Sequence, residues 1–239
     1  MANNMKDFTL IVPMINAEME NIPIEFQQDN KTGLINCVRS LMNIDMSQFT
    51  AIHFILLKSD EEKWHISERI QIDLRIIGVP NIPIKFSFED NVTSSQAETI
   101  YNEIERNNIS GAIFIKDADN ACSCENITPK NSVLIYPLES TPIVDPQHKS
   151  YIVVDDQNFV MNIIEKRVIS GMFNCGGYSF ENVNDFTNAY ENIKKYESKN
   201  VHMYISNIIY WLMLYKGLKF RPIEATAYDD FEIKLNNCL

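Results

Sequence analysis

The first half of the chain alternates between short apolar runs and longer segments in which apolar residues recur every three or four positions. The runs have the length of strands, and they cover 8–14, 51–57, 82–88 and 112–115. The periodic segments predict helices at 32–43, 59–78 and 94–108. Strands that alternate with helices through short connections indicate a parallel sheet covered by helices on both faces.

The second half has a different pattern, with strand candidates that follow each other closely and two late helices. The strand candidates are 132–138, 149–156, 159–166, 172–180 and 218–225, and the helices are 183–197 and 202–217. Strands without helices between them favour antiparallel pairing. The pattern therefore predicts one α/β domain over residues 1–239, with a βαβ half at 1–120 and a β-rich half at 121–239.

Composition narrows the classes of function. The formal net charge of −11 over 239 residues argues against nucleic acid or an anionic membrane as a partner, because both need a basic surface.

The start of the chain lacks the pattern of a signal peptide, and the five scattered cysteines of the chain are typical of reduced thiols. We therefore expect a cytoplasmic protein. The apolar run at 204–215 is too short to span a bilayer. Its adjacent apolar residues indicate either helix packing or a homodimer contact.

A mostly polar stretch follows the apolar run 112–115 directly. It reads Lys116, Asp117, Ala118, Asp119 and Asn120. Open α/β sheets bind ligands at the carboxyl ends of their strands, and carboxylates there suit a divalent cation. Asp and Asn are also frequent in solvated turns. The spacing alone leaves both a turn and a metal or phosphate site open.

The order of the elements resembles that of the sugar-nucleotide nucleotidyltransferases, or pyrophosphorylases, which have a GT-A-like fold. The resemblance rests on FTLIVPM (8–14), VTSSQAETI (92–100), IFIKDADN (113–120) and YIVVDDQNFVMNIIEKRVISGMFNCGGYSF (151–180). It implies a central, mostly parallel mixed sheet with helices on both faces. Residues 1–120 would form the nucleotide-binding half, and 121–239 a β-rich acceptor half that binds the sugar.

The resemblance also implies roles for individual residues. Asp119 and Asp230 would be catalytic and would hold Mg²⁺, and Lys166 would be a third catalytic residue close to a phosphate. The implied substrate-binding residues are Gln96 near the base, Glu165 at the sugar hydroxyls, Asp117, Asn120, Asn174, and the pair Gly176 and Gly177. The two glycines would permit close approach of the acceptor because they have no Cβ.

The segment that binds the triphosphate in this family differs here. The family has a glycine-rich Gly-x-Gly-x-Arg loop followed by Pro-Lys, whereas this chain reads PMINAEMENIPIEFQQ (13–28), without Gly, Arg or Lys. Glu18, Glu20 and Glu25 would place negative charge near the triphosphate, and repulsion between unit charges at ~4 Å is about 4 kcal/mol at an effective dielectric near 20. We therefore expect the triphosphate-binding part to be degenerate.

Three functions remain open from the sequence. The first is a nucleotidyltransferase of surface-polysaccharide or nucleotide-sugar metabolism, which uses Mg²⁺ to transfer a nucleotidyl group from a nucleoside triphosphate to a phosphorylated sugar or polyol. The second is a catalytically lapsed homologue that binds a nucleotide-sugar or a sugar phosphate. The third is a GT-A-type glycosyltransferase in which Asp117-Ala118-Asp119 is a D-x-D metal motif. In all three, the expected partners are small molecules.

Overall fold

The computed structural model describes residues 7–15, 21–141, 145–196 and 202–232. The strands are β1 (Phe8–Pro13), β2 (Ala51–Leu57), β3 (Ile84–Glu89), β4 (Ala112–Lys116), β5 (Asn120–Ser123), β6 (Ser132–Pro137), β7 (Ser150–Val154), β8 (Val160–Glu165), β9 (Met172–Phe180), β10 (Arg221–Glu224) and β11 (Ala227–Asp230). The helices are α1 (Asn36–Arg39), α2 (Lys58–Trp64), α3 (Ile66–Ile76), α4 (Gln96–Asn107), α5 (Val183–Tyr196) and α6 (Ile205–Lys216).

A mixed, mostly parallel sheet runs through both halves of the chain in the order β10-β6-β9-β4-β1-β2-β3. Strands β4, β1, β2 and β3 are parallel neighbours, as are β10 and β6. Strand β9 is antiparallel to both β4 and β6 and joins the two parallel groups. The hairpin of β7 and β8 pairs with β9, and β11 pairs with β5 in a separate small sheet. The expected GT-A-like α/β fold is confirmed.

Helices cover both faces of this sheet, because alternate residues of each strand point to opposite sides. On β1, Leu10 and Val12 pack in one core together with α1 and α3. Ile11, between them, packs in the second core together with α4, α5 and α6. The arrangement of helices on both faces, expected from the alternating pattern, is confirmed.

Two predicted helices differ from the structure. In the segment 32–43 only Asn36–Arg39 is α-helical, and the N–H of Ile35 donates to the buried carboxylate of Asp73 at 2.8 Å. This contact from a distant helix holds the chain in a turn that still buries the apolar residues. The segment 59–78 is two helices, because His65 adopts a left-handed conformation with φ of 51°.

The predicted homodimer contact lies on α6. Tyr210, Leu214 and Tyr215 are exposed there and line an apolar groove together with Tyr196 of α5. The homodimer stays a prediction, as does the cytoplasmic location. Within the described ranges, no helix combines the length and the apolar character that a membrane crossing requires.

Helix α4 begins at the N-cap Ser95, and its third residue, Glu98, lies in a network of donors. The hydroxyl of Ser95 accepts from the N–H of Glu98 at 3.2 Å. The Glu98 carboxylate accepts from the N–H and hydroxyl of Ser94 at 2.7 and 2.6 Å and from Lys194 at 2.5 Å. Burial by itself raises the pKa of Glu98, but the donors Lys194 and Ser94 outweigh it and lower the pKa to about 2.

Glu98→Gln is expected to lower the free energy of unfolding by about 1 kcal/mol at pH 7, allowing for partial solvent screening. Because the pKa of Glu98 is lowered in the folded state, its stabilisation is present above the unfolded pKa and is lost as pH falls from 4.5 towards 2. Urea denaturation at pH 7 and pH 3 measures both effects. Glu105→Gln, an exposed change on the same helix, is the control, and equal acid sensitivity in the two variants contradicts the prediction.

Candidate functional site

A polar cleft of about 470 Å³ opens beyond the carboxyl end of β4. Its described lining residues are Gln96, Asp117, Asp119, Asn120, His148, Lys149, Ser150, Glu165, Lys166, Asn174, Gly176, Tyr178, His202, Tyr204, Ile205 and Glu232. Its volume suits a small-molecule ligand. The cleft brings together eight of the ten residues predicted from the sequence, and the other two, Gly177 and Asp230, are not among its described lining residues.

The polar end of β4 is built around a buried lysine. Lys116 has no exposed surface, and its ammonium donates to the carbonyl of Asp117 at 2.8 Å and to the carbonyl and side-chain oxygen of Asn120 at 3.0 and 2.9 Å. The Asn120 amide nitrogen in turn donates to Asp119 at 2.8 Å. The stretch from Lys116 to Asn120 is therefore a braced turn that presents two carboxylates to the cleft.

Asp117 lies at the back of the cleft with its carboxylate held by Gln96, which donates to Oδ1 at 2.7 Å. Burial and, after it, the negative charge of Asp119 raise the pKa of Asp117 to about 6. Because the amide nitrogen of Gln96 is used in this bond, Gln96 positions the carboxylate as well as lining the cleft. Its predicted contact with a base stays a prediction.

Asp230 pairs with a lysine that the sequence analysis did not single out. Strand β11 pairs Asp230 with Asn120 of β5, which brings it beside Asp119. The ammonium of Lys149 donates to Asp230 Oδ2 and to the Tyr228 hydroxyl, both at 2.7 Å, and that hydroxyl donates to the same Oδ2 at 3.0 Å. Burial lowers the pKa of Lys149, but Asp230, Asp119 and Asp117 outweigh it and raise the pKa above its usual value.

These contacts do not fit the predicted Mg²⁺ clamp between Asp119 and Asp230. Both oxygens of Asp230 already accept hydrogen bonds, Oδ2 from Lys149 and Tyr228 and Oδ1 from the N–H of Glu232 at 3.2 Å. In the part of the chain that the structure describes, no group of three His, Cys, Asp or Glu residues could hold a metal ion. The oxygen donors are of the type that Mg²⁺ prefers, but the Lys149 ammonium already contacts Asp230.

The predicted acceptor residues Glu165 and Lys166 lie on the other side of the cleft. Glu165 Oε2 accepts from the hydroxyls of Ser150 and Ser206, which fixes the carboxylate on the cleft wall. Lys166 has a left-handed backbone with φ of 57°, and its ammonium lies 5.1 Å from the centre of the Tyr204 ring. A hydrogen bond with Tyr204 raises the pKa of Lys166, which therefore stays cationic at neutral pH.

An irregular stretch of β9 around Asn174 and Gly176, where the pairing with β6 shifts register, lines the cleft. The side-chain oxygen of Asn174 accepts from the N–H of Gly176 at 2.9 Å, and its amide donates to the carbonyls of Leu134 and Gly177. Gly176 has φ of +82°, and a Cβ there would lie 2.5 Å from Asn120 Nδ2. Asn174 thus shapes this irregular part of β9, and Gly176 lets it approach Asn120 and Asp117.

Gly177 requires a correction. A Cβ at this position would overlap the side chain of Leu134 and contact Phe114, which are core residues. Its small size serves packing between strands, and Gly177 is not among the described lining residues of the cleft. The predicted close approach of an acceptor stays a prediction for Gly176.

The first part of the chain contributes little to the cleft. Among the described residues, none that lines it precedes Gln96. Glu25 is buried in a short 3₁₀ turn and is not one of the lining residues. The degenerate triphosphate-binding part stays a prediction. Glu18 and Glu20 lie outside the described residues.

Comparison with solved structures identifies the fold. The chain is similar to a nucleoside-diphosphate-sugar pyrophosphorylase from Vibrio cholerae RC9, with 15% identity, a TM-score of 0.68, and 90% of this chain and 91% of that one covered. It is similar to the inositol-1-phosphate CTP transferase from T. maritima, with 12% identity, a TM-score of 0.68, and coverage of 93% and 88%. A UDP-glucose pyrophosphorylase complexed with UDP-glucose gives 12% identity, a TM-score of 0.65, and coverage of 97% and 98%.

The fold of this chain is therefore that of the sugar-nucleotide nucleotidyltransferases, and the resemblance seen in the sequence is confirmed at this level. No protein-family model matches the sequence, and the comparison with curated proteins gives no match. At 12–15% identity, the similarity shows the fold, and the chemistry has to be argued from the cleft.

Proposed function

We propose that this protein binds a phosphorylated sugar or polyol in the cleft and transfers to it a nucleotidyl group from a nucleoside triphosphate. The observation that carries the proposal is the pairing of a fixed carboxylate, Glu165, with an adjacent cation, Lys166, on the wall that faces Asp117 and Asp119. The proteins of similar fold include an inositol-1-phosphate CTP transferase and a UDP-glucose pyrophosphorylase, which supports this class of substrate.

Each of these side chains has a chemical role in the proposed reaction. Glu165 would accept hydrogen bonds from hydroxyls of the sugar or polyol, because its position is fixed by Ser150 and Ser206. Lys166 would pair with the phosphate of this acceptor. An oxygen of that phosphate attacks the α-phosphorus of the triphosphate and pyrophosphate leaves, so negative charge develops on oxygens that cationic side chains stabilise.

A second candidate, binding without transfer, is favoured by the contacts of Arg39, a cationic residue that follows the expected triphosphate segment. Arg39 pairs with Asp29 at 3.4 Å and with Asp229, and it donates to Asn36 at 3.1 Å. These contacts occupy its guanidinium. A glycosyltransferase that uses Asp117-Ala118-Asp119 is the third candidate, and consumption of a nucleotide-sugar donor would identify it.

A panel of ligands distinguishes these candidates. Thermal unfolding is measured with each nucleoside triphosphate, several nucleotide-sugars, sugar phosphates and inositol 1-phosphate, in Mg²⁺ and in EDTA. A ligand at about 100 times its Kd should raise Tm by roughly 5–10 °C in a chain of this size. Stabilisation by one triphosphate, with release of pyrophosphate when the acceptor is added, supports transfer, and stabilisation by acceptors or nucleotide-sugars alone supports the binding protein.

Lys166→Met is expected to reduce the affinity for the phosphorylated acceptor by at least about tenfold, because one charge-assisted contact is lost. Tm without ligand should change little, since the Lys166 side chain interacts with Tyr204 at the cleft surface. Lys130→Met removes an equal charge from an exposed ion pair with Glu181 and is the control. Unchanged acceptor affinity in Lys166→Met would show that the phosphate binds elsewhere.

A further inference from the structure

Lys149, which lines the cleft, forms a largely buried ion pair with Asp230. The side chain of Lys149 is only 14% exposed and that of Asp230 only 10%, so their contact at 2.7 Å lies largely out of solvent. The negative charges of Asp119 and Asp117 also act on the Lys149 ammonium. One ammonium thus contacts Asp230 of β11 and feels the negative charges of Asp117 and Asp119, which follow β4.

The backbone holds Lys149 in this position. Its carbonyl accepts from the N–H of Lys166 at 2.9 Å, and the next residue, Ser150, pairs with Glu165 across the β7–β8 hairpin. The Tyr228 ring lies 5.3 Å from the ammonium, and the Tyr228 hydroxyl completes a triangle with Lys149 and Asp230. A surface ion pair has no such framework, and its side chains exchange freely with water.

We propose that Lys149 is the built-in cation of this cleft: its ammonium joins the Asp119 and Asp230 sides of the site in place of a divalent metal, so that ligands bind without one. An ammonium carries one positive charge and three donors, and it repels a divalent cation placed beside the same carboxylates. The identity of the ligand in this inference rests on the proposed function. The statement about metal binding does not, because it concerns only the side chains of this protein.

The test is titration of the whole protein with Mn²⁺, with bound metal measured by electron paramagnetic resonance. The wild type should show no Mn²⁺ site that is lost in Asp119→Asn. Lys149→Met removes the positive charge beside the carboxylates and should gain one Mn²⁺ per chain with at least about tenfold higher affinity than the wild type. Adding Asp119→Asn or Asp230→Asn to Lys149→Met should remove this site. Lys149→Arg should bind no more Mn²⁺ than the wild type.

A control variant and a comparison within the wild-type background complete this test. Lys130→Met lowers the charge of the chain equally at a distant ion pair, and it should leave Mn²⁺ binding unchanged. The inference is overturned if the wild type binds one Mn²⁺ per chain and Asp119→Asn abolishes that binding, a comparison that does not need Lys149→Met to fold. It is equally overturned if folded Lys149→Met gains no site.

The outcome is separable from that of the proposed function, because the titration contains no nucleotide or sugar. If no ligand of the thermal panel binds and the Mn²⁺ results are as expected, the proposed function fails and the role of Lys149 stands. If a triphosphate or sugar phosphate raises Tm in Mg²⁺ but not in EDTA, the proposed substrate class stands and Lys149 as the replacement for the metal is refuted.

Discussion

Lys116→Met is expected to lower the free energy of unfolding by about 3 kcal/mol at neutral pH, with each lost hydrogen bond contributing about 1 kcal/mol. Methionine has nearly the volume of lysine but no donor. The carbonyls of Asp117 and Asn120 and the side-chain oxygen of Asn120 would then lose the ammonium that they share. These acceptors are in the buried interior of the turn, where water does not replace the lost donor. Denaturation in urea, monitored by circular dichroism, measures the change.

The same substitution should also weaken ligand binding. Lys116 braces the turn that presents Asp117 and Asp119, so its loss frees the carboxylates to move. Lys130→Met is the matched control, because Lys130 is exposed and paired only at the surface with Glu181, and such pairs contribute about 0–1 kcal/mol. If Lys116→Met is as stable as Lys130→Met, the turn is held by contacts other than those of the buried ammonium.

Gly176→Ala is expected to lower the free energy of unfolding by about 3 kcal/mol and to disrupt the cleft. A left-handed conformation with φ of +82° costs a residue with a Cβ about 1–2 kcal/mol. The new methyl group would also lie 2.5 Å from Asn120 Nδ2 and 2.9 Å from Asp117 Oδ2, and overpacking adds about 1–3 kcal/mol. Because those atoms belong to the turn that Lys116 braces, we expect ligand-induced stabilisation to disappear as well.

Gly171→Ala provides the comparison immediately before the same strand. A Cβ at Gly171 has no atom within 4 Å, and its φ lies outside the left-handed range. This variant should unfold within about 0.5 kcal/mol of the wild type and keep its response to ligands. Urea denaturation and ligand-induced shifts in Tm, measured for both variants, test this prediction. Equal behaviour of the two would show that β9 can withdraw from β4 at little cost.

Several strands and helices could be predicted because residues that are adjacent in the sequence determine where they begin and end. The strands 51–57 and 172–180 have the predicted bounds, since each is a continuous run that the chain buries. Helix α4 begins after Ser95, the predicted type of cap residue, which accepts from Glu98. The helix predicted at 32–43 was wrong, because a hydrogen bond from Ile35 to Asp73, 38 residues later, competes with helix formation.

The candidate site likewise has one part that could be predicted from the sequence and one part that could not. Asp117, Asp119 and Asn120 follow a buried strand, and the sequence by itself determined that they lie at its carboxyl end, because the apolar run and the polar residues are contiguous. The role of Lys116 could not be predicted. Its place at the end of an apolar run does not show that its ammonium donates to the backbone carbonyls of Asp117 and Asn120 in the turn that follows.

Only the tertiary structure decided which charges meet. Lys149 and Asp230 are 81 residues apart, and the antiparallel pairing of β11 with β5 brings Asp230 beside Asp119. Coulomb energy depends on distance in space and on burial, and neither quantity can be read from spacing along the chain. The sequence determined the order of strands and helices and the presence of carboxylates at a strand end. Whether a metal or a lysine lies between those carboxylates was decided by the pairing of strands that are distant in the sequence.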